Sequence, residues 1–184
     1  MFKNLSQSAK KLRDTRVICI CSIMVAMYVA LDLFQIQLAP QIVISFSFIP
    51  IAITGWLLGI VPAAVVGGIS DILSFIIKPT GSFFPGFTLT AILTGVVFGL
   101  VLYGAEGKSV WGRSIISKTV VTVLLNIGLN TVWTSMLTGK AYLVLLSGRI
   151  IKNVVMLPVE VIVLAVIIIL LSKHKIIYKY IKMG

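Results

Sequence analysis

The sequence predicts an all-α membrane protein in which six transmembrane helices form a single domain. Of its 184 residues, 59% are hydrophobic and 11% are charged, and the mean hydropathy is +1.12. Spans of about 20 residues joined by short loops leave room for five to seven helices and for no separate soluble domain. We expect residues 1–16 to form a cytoplasmic N-terminus, residues 17–171 the six-helix membrane core and residues 172–184 a cytoplasmic basic tail.

The positions of the basic residues favour six helices. A net charge of +11 would also suit a nucleic-acid-binding protein, but most of the 16 basic residues fall in three groups at predicted helix ends. An even number of spans puts all three groups on one side, which the positive-inside rule makes the cytoplasmic side. The groups are Lys3, Lys10, Lys11, Arg13 and Arg16; Lys108, Arg113 and Lys118; and Lys173, Lys175, Lys179 and Lys182.

The first half of the chain predicts three helices separated by a long loop and a tight turn. The loop after the first helix is extracellular in this topology, and it combines glutamines with β-favouring residues, so we expect it to be partly extended. The turn lies where glycine and proline interrupt the apolar run. The helices cover residues 17–34, 48–58 and 63–77, the loop covers residues 35–47, and the turn covers residues 59–62.

The second half predicts three more helices and a loop after the third helix that is rich in phenylalanine, glycine and proline. The aromatic side chains of this loop either form a belt at the membrane interface or act as a lid that stacks on a flat ligand. The loop covers residues 78–87, the helices cover residues 88–103, 118–137 and 142–171, and a polar connector covers residues 104–117.

Polar residues inside the apolar helices indicate a ligand site. Arg149 and Lys152 lie three positions apart, on one face of the last helix. A cation at the bilayer centre costs about 2.5–3.5 kcal/mol, so two of them indicate a polar cavity with an anionic occupant. The alternative is ion pairing within the protein, for example of Asp71 with Arg149. Asn126 and Asn130 share a face of the fifth helix, and the set also contains Asp32, Asn153 and Glu160.

Small residues recur at four-residue spacing along several predicted helices. The first helix carries Ser22, Ala26 and Ala30 at this spacing. Such ridges allow the backbones of two helices to approach closely. They pack either within the chain or against a partner.

No sequence motif supports an enzymatic function. Gly107, Lys108 and Ser109 match the end of a phosphate-binding loop, but Leu102 stands where that pattern requires its first glycine. His174, the one histidine, falls in the basic tail, and the sequence contains no nucleophile elbow. No cluster has the spacing of metal ligands, so we expect a chain that is not an enzyme and holds neither a cofactor nor a metal.

The chain resembles the substrate-binding S components of energy-coupling factor (ECF) vitamin transporters over nearly its whole length. The resemblance includes the six-helix size, the long first outer loop and the family motif Ala-x-x-x-Ala, here Ala26 to Ala30. Aligned one turn earlier, the motif runs from Ser22 to Ala26. Within the family, the segment from Pro79 to Thr88 is similar to the folate-type members.

This resemblance implies a multi-pass protein of the bacterial cell membrane, with both termini cytoplasmic, that captures folate or a reduced folate at the outer face. It also implies partners from an ABC transporter complex, namely a transmembrane coupling protein and two ATPase subunits that hydrolyse ATP. The resemblance further implies that the partner contact involves Ser22, Ala26 and Ala30, and that the S component topples in the membrane to carry the vitamin inward.

The chemistry of folate agrees with the candidate residues. Aromatic side chains suit the pterin and aminobenzoate rings, and Arg149 and Lys152 suit the two carboxylates of the glutamate tail. The asparagines and Asp71 suit the pterin edge, although Arg149 also suits that end. Two alternatives are an S component for a different vitamin and a structural or regulatory membrane subunit without a small ligand. The predicted substrate-binding residues are Arg149, Lys152, Asn130, Asn126, Trp133, Phe83, Phe84, Phe87, Asp71 and Gln37.

Overall fold

The structure, a computed structural model, describes residue 8 and residues 12–39, 42–79 and 83–173. Predictions that concern other residues lie outside these ranges. They include those on Gly81, Ser82 and His174, on the first three cations of the N-terminal group, and on the basic tail beyond Lys173.

The described chain is a bundle of helices with one small hairpin. Helix α5, a π-helix and helix α6 follow one another without interruption, so that residues 109–138 form a single 30-residue helical span. The elements are α1 (Thr15–Leu33), β1 (Ile36–Ala39), β2 (Ile42–Ile44), α2 (Phe48–Leu58), α3 (Ile60–Ile77), α4 (Pro85–Leu102), α5 (Ser109–Val120), the π-helix (Val121–Leu129), α6 (Asn130–Thr138) and α7 (Tyr142–Ser172).

Five of the described helical spans are long and apolar enough to cross a membrane, judged by their length and composition. They are α1, α3, α4, the 30-residue span and α7, whereas α2 is apolar but has only 11 residues. The predicted helical fold is confirmed, with one addition. The extended segment after the first helix forms an antiparallel hairpin in which Ile36 pairs with Ile44 and Gln37 with Val43.

The fifth predicted helix begins nine residues earlier than the sequence suggested. The polar connector was expected to reach residue 117, but α5 already begins at Ser109. The reason is tertiary, because one face of this polar segment is buried against its neighbours, including Ser114 at 0% exposed. Lys118 therefore lies within a helix, not at its end.

The turn before the third helix is also shorter than predicted. Gly59 alone leaves the helical conformation, with φ at +93°, and α3 begins at Ile60. A residue with a side chain is strained at this φ, which is why glycine occupies the break. Pro62 fits the first turn of α3, because the N–H that proline lacks would have no partner within the helix there.

Small residues of α3 and α4 let these two helices pack at close range. A β-carbon added at Gly95 would overlap the carbonyl oxygen of Ala63, and one added at Gly67 would overlap that of Ala91. The interpretation of these ridges as internal packing is therefore confirmed for α3 and α4. The ridge on α1 differs, because Ser22, Ala26 and Ala30 are all exposed.

One end of the bundle, which we call the basic end, carries Arg13, Arg16, Lys108, Arg113 and Lys173. Several hydrogen bonds tie the chain together there. The indole Nε1 of Trp56, which is 0% exposed, donates to the carbonyl of Ala105 at 2.8 Å. The buried hydroxyl of Ser8 donates to the Leu58 carbonyl and accepts from the Val61 N–H across the break at Gly59.

Candidate functional site

A cavity of about 320 Å³ lies inside the bundle. Its volume is within the usual range for a small-molecule site, about 300–1,000 Å³. Every described helix from α1 to α7 contributes to its wall, although α6 does so only through its first residue, Asn130. The chain between β2 and α2 contributes as well. Six of the ten predicted substrate-binding residues line it: Asp71, Phe87, Asn126, Asn130, Arg149 and Lys152.

Arg149 and Lys152 occupy one wall of this cavity, as their spacing on one helix face predicted. Nη1 of Arg149 donates to the Asn126 carbonyl at 3.3 Å, and Nη2 donates to the Thr134 hydroxyl at 2.6 Å. Lys152 has neither a hydrogen bond nor an ion pair within the described part of the chain. Its ammonium group is therefore available to an anionic ligand.

The end of the cavity towards the basic end contains a buried ion pair. Nζ of Lys118 lies 3.2 Å from Oε2 of Glu160, and the two side chains are 2% and 12% exposed. The ammonium group also lies 3.3 Å from the centre of the Phe48 ring. The placement of Lys118 in the cytoplasmic basic group is therefore wrong, because its charge is neutralised inside the bundle.

The internal ion pairing considered from the sequence occurs with different partners. Glu160 pairs with Lys118, whereas Asp71 does not pair with Arg149. Instead, Oδ2 of Asp71 accepts a hydrogen bond from the Thr88 hydroxyl at 2.7 Å. Asp32 accepts a hydrogen bond from the Ser74 hydroxyl and is not among the residues that line the cavity.

The cavity as a whole carries an excess of positive charge. Among the described residues, its lining contains three cations, Lys118, Arg149 and Lys152, and two carboxylates, Asp71 and Glu160. Since Lys118 and Glu160 neutralise each other, the cations of α7 face a single acid on α3. The site therefore suits a ligand with anionic groups at one place and hydrogen-bond donors at another.

A packed aromatic group lies beside the cavity and combines two phenylalanines at the start of α4 with a tryptophan of α6. Phe84 lies 6.0 Å from Phe87 and 5.6 Å from Trp133, between ring centres, and Phe87 lines the cavity. Nε1 of Trp133 donates to the hydroxyl of Thr90, which also lines it, at 3.1 Å. Trp133 and Phe84 thus lie directly behind the lining.

One predicted site residue is not brought to the cavity, and the side chain of another lies outside those that the structure describes. Phe83 packs against Phe75 at 5.2 Å between ring centres and is 48% exposed, so it does not line the cavity. Gln37 lies in β1, where its backbone pairs with Val43, and its side chain is not among those described.

Sequence reasoning missed several polar residues of the cavity. Thr90 and Thr94 lie one turn apart on α4, so their shared face was a readable signal. Ser45 and Ser47 belong to the loop before α2, and a loop gives no periodicity from which to infer their position. The other lining residues that were not predicted, polar and apolar, are Tyr28, Phe48, Ile51, Ala91, Lys118 and Val121.

Comparison with known proteins places this arrangement in a family. Residues 16–168 match the family described as "ECF transporter, substrate-specific component". The chain belongs to this family. The S component is thus a membrane transport subunit, as the resemblance implied.

Relatives of this S component are described as folate transporters. It is 35% identical over 153 residues to the folate transporter FolT of Clostridium novyi, covering 83% of this chain and 88% of that protein. It is 28% identical over 153 residues to FolT of Leuconostoc mesenteroides, covering 80% of this chain and 82% of that protein. A crystal structure of FolT bound with folic acid superposes with a TM-score of 0.75 at 31% identity, covering 82% of this chain and 91% of that one.

A groove lies on the outside of the S component, between α1 and α3. Its volume is about 700 Å³, and its lining is almost entirely apolar. The exposed small residues Ser22, Ala26 and Ala30 contribute to it, together with Val65 and Ile69 of α3. This surface is separate from the polar cavity.

Proposed function

We propose that this S component binds folate or a reduced folate in the polar cavity. The observation that carries the proposal is the combination of Arg149 and Lys152 on one wall with Asp71 on another. Folate has the matching groups, namely two carboxylates on its glutamate tail and an amino group and ring N–H on its pterin. The folate-binding relatives support the same ligand.

The proposed roles follow from the chemistry of each side chain. Lys152, whose ammonium group has no partner among the described residues, meets a carboxylate as a point charge, while Arg149 presents its remaining N–H groups. Asp71 keeps one carboxylate oxygen beyond its bond to Thr88 and accepts from donors of the pterin. Phe87, supported by Phe84 and Trp133, stacks on a ring.

Transport requires partners that supply energy. We propose that a transmembrane coupling protein and two ATPase subunits dock on this S component, as the family implies. The groove that contains Ser22, Ala26 and Ala30 is the proposed contact, since its small residues permit close approach of another helix. Capture then occurs on the outer side of the membrane and release on the inner side.

The proposed topology has six spans, with α2 as the short one and the basic end in the cytoplasm. The cations of the basic end, which do not include Lys118, support this orientation through the positive-inside rule. Cysteines introduced as Ser109→Cys and Lys140→Cys should react with an impermeant reagent from opposite sides of the membrane. Reaction of both from the same side would contradict the topology.

Ligand identity is tested by mass spectrometry of small molecules released from the purified protein, followed by calorimetry with folate. A charge-assisted hydrogen bond contributes about 1.5–3 kcal/mol, so Arg149→Ala and Lys152→Ala should each weaken folate binding roughly 10- to 150-fold. Lys140→Ala, which removes an exposed cation from the loop between α6 and α7, is the matched control and should bind normally. Release of another vitamin would favour an S component of different specificity.

A further inference from the structure

The guanidinium group of Arg149 is held by two acceptors from one neighbouring helical span. Thr134 accepts from Nη2 at 2.6 Å, and the Asn126 backbone carbonyl accepts from Nη1 at 3.3 Å. The hydroxyl of Thr134 donates its own proton to the Asn130 carbonyl at 2.7 Å. Because the proton is committed there, only the lone pairs of this hydroxyl remain for Arg149.

The second acceptor exists because of the π-helix. Where the π-helix ends, the N–H of Asn130 donates to the carbonyl of Leu125, five residues earlier. In an α-helix the N–H of Asn130 would donate to the carbonyl of Asn126 instead, so the π-helix leaves this carbonyl without that bond. A backbone carbonyl inside a bundle requires a partner, and Arg149 provides it from α7. Interruptions of this kind are frequent at functional sites.

We propose that Thr134 is a positioning residue that, together with the freed carbonyl of Asn126, fixes the orientation of the Arg149 guanidinium at the cavity wall. The inference rests on the proposed function, in which Arg149 binds the ligand. A free arginine side chain loses rotamer freedom when a ligand orders it. An arginine that two acceptors already hold does not, so the ligand binds more tightly without touching Thr134.

Thr134→Val tests the proposal because valine keeps the shape of threonine and removes the acceptor. Thr134→Ser restores the hydroxyl. Thr138→Val is the matched control, since Thr138 lies one turn further along α6, is exposed, and makes the same kind of hydroxyl-to-carbonyl bond at 2.7 Å. Each variant is made in the wild-type chain and in the Arg149→Ala and Arg149→Met chains. Folate affinity is measured by calorimetry on preparations that elute as a single species.

In the wild-type chain, Thr134→Val should weaken folate binding about fivefold to tenfold, an indirect effect below that of a direct charged hydrogen bond. Thr134→Ser should restore affinity to within about twofold, and Thr138→Val should leave it unchanged. In both Arg149 variants, Thr134→Val should have no further effect. That loss of effect separates positioning from a structural role, because a purely structural change acts whether or not Arg149 is present.

The proposal is overturned if Thr134→Val binds folate normally, or if its effect persists at full size in both Arg149 variants. Normal binding by Arg149→Ala would instead refute the role of Arg149 in the proposed function, and the positioning role with it. If the wild-type chain binds no folate, the proposed function fails separately. Thermal unfolding of the ligand-free variants then decides the contact, since additive effects of the Thr134 and Arg149 changes would refute it.

Discussion

Removing the charge of Glu160 should destabilise the protein strongly, because Lys118 would then be left buried without a counter-ion. The Lys118 side chain is 2% exposed, and Glu160 lies 3.2 Å away. The change Glu160→Gln keeps the shape of the side chain and removes only the charge. Breaking a buried ion pair by removal of one partner costs about 3–5 kcal/mol.

The two single changes should differ in size. After Glu160→Gln, Lys118 keeps mainly the Phe48 ring, 3.3 Å from its ammonium group, and a desolvated cation–π contact contributes only about 2 kcal/mol. After Lys118→Met, Glu160 is 12% exposed towards the cavity and still interacts electrostatically with Lys152. We therefore expect Glu160→Gln to be the more destabilising change.

The measurement is the free energy of unfolding in mixed detergent micelles, for both single variants and for Lys118→Met combined with Glu160→Leu. The combined variant should lie closer to the wild type than either single variant, since replacing a buried pair by apolar residues is often neutral. Loss of less than about 1 kcal/mol in Glu160→Gln would refute the reasoning, because exposed pairs behave in that way. A combined variant that is less stable than both single variants would refute it as well.

Three further changes test the packing of α3 against α4, the docking of partners on α1 and the contribution of Asp71 to ligand binding. Gly95→Ala should destabilise the bundle by about 1–3 kcal/mol, because the new methyl group overlaps the Ala63 carbonyl. Gly112→Ala, which lies within α5 and meets nothing within 4 Å, should not destabilise the bundle in the same assay. Ala26→Trp should preserve folate binding but abolish co-purification with the ATPase module and uptake, and normal uptake would limit the ridge to lipid contact. Asp71→Asn should weaken folate binding about tenfold in calorimetry, and an unchanged affinity would remove this carboxylate from the site.

The local spacing of residues predicted correctly which polar side chains share one wall of the cavity. Arg149 and Lys152 line the same cavity because residues three apart share a helix face. Asn126 and Asn130 also reach it from the neighbouring span, although a π-helix covers part of that segment. The spacing rule succeeded here because the helical turn is a local property, set by the backbone whatever surrounds it.

The assignment of Lys118 failed for the opposite reason. A lysine next to a polar segment usually ends a membrane span, and no residue near it in sequence indicates a counter-ion. Its partner Glu160 is 42 positions away on another helix. The π-helix was equally unreadable, since the Asn126 carbonyl at its end finds its partner, Arg149, on another helix.

The sequence by itself determined the class of the protein, because apolar composition and span length follow from the thickness of the bilayer. It also determined which polar residues share a helix face. Only the tertiary structure decided which charges neutralise each other and which stay available to a ligand. Lys118 and Lys152 are both lysines within apolar surroundings, yet the first is paired with Glu160 and the second is unpaired among the described residues. Ion pairing depends on distances between helices, and those distances result from packing, such as that of Gly95 against Ala63.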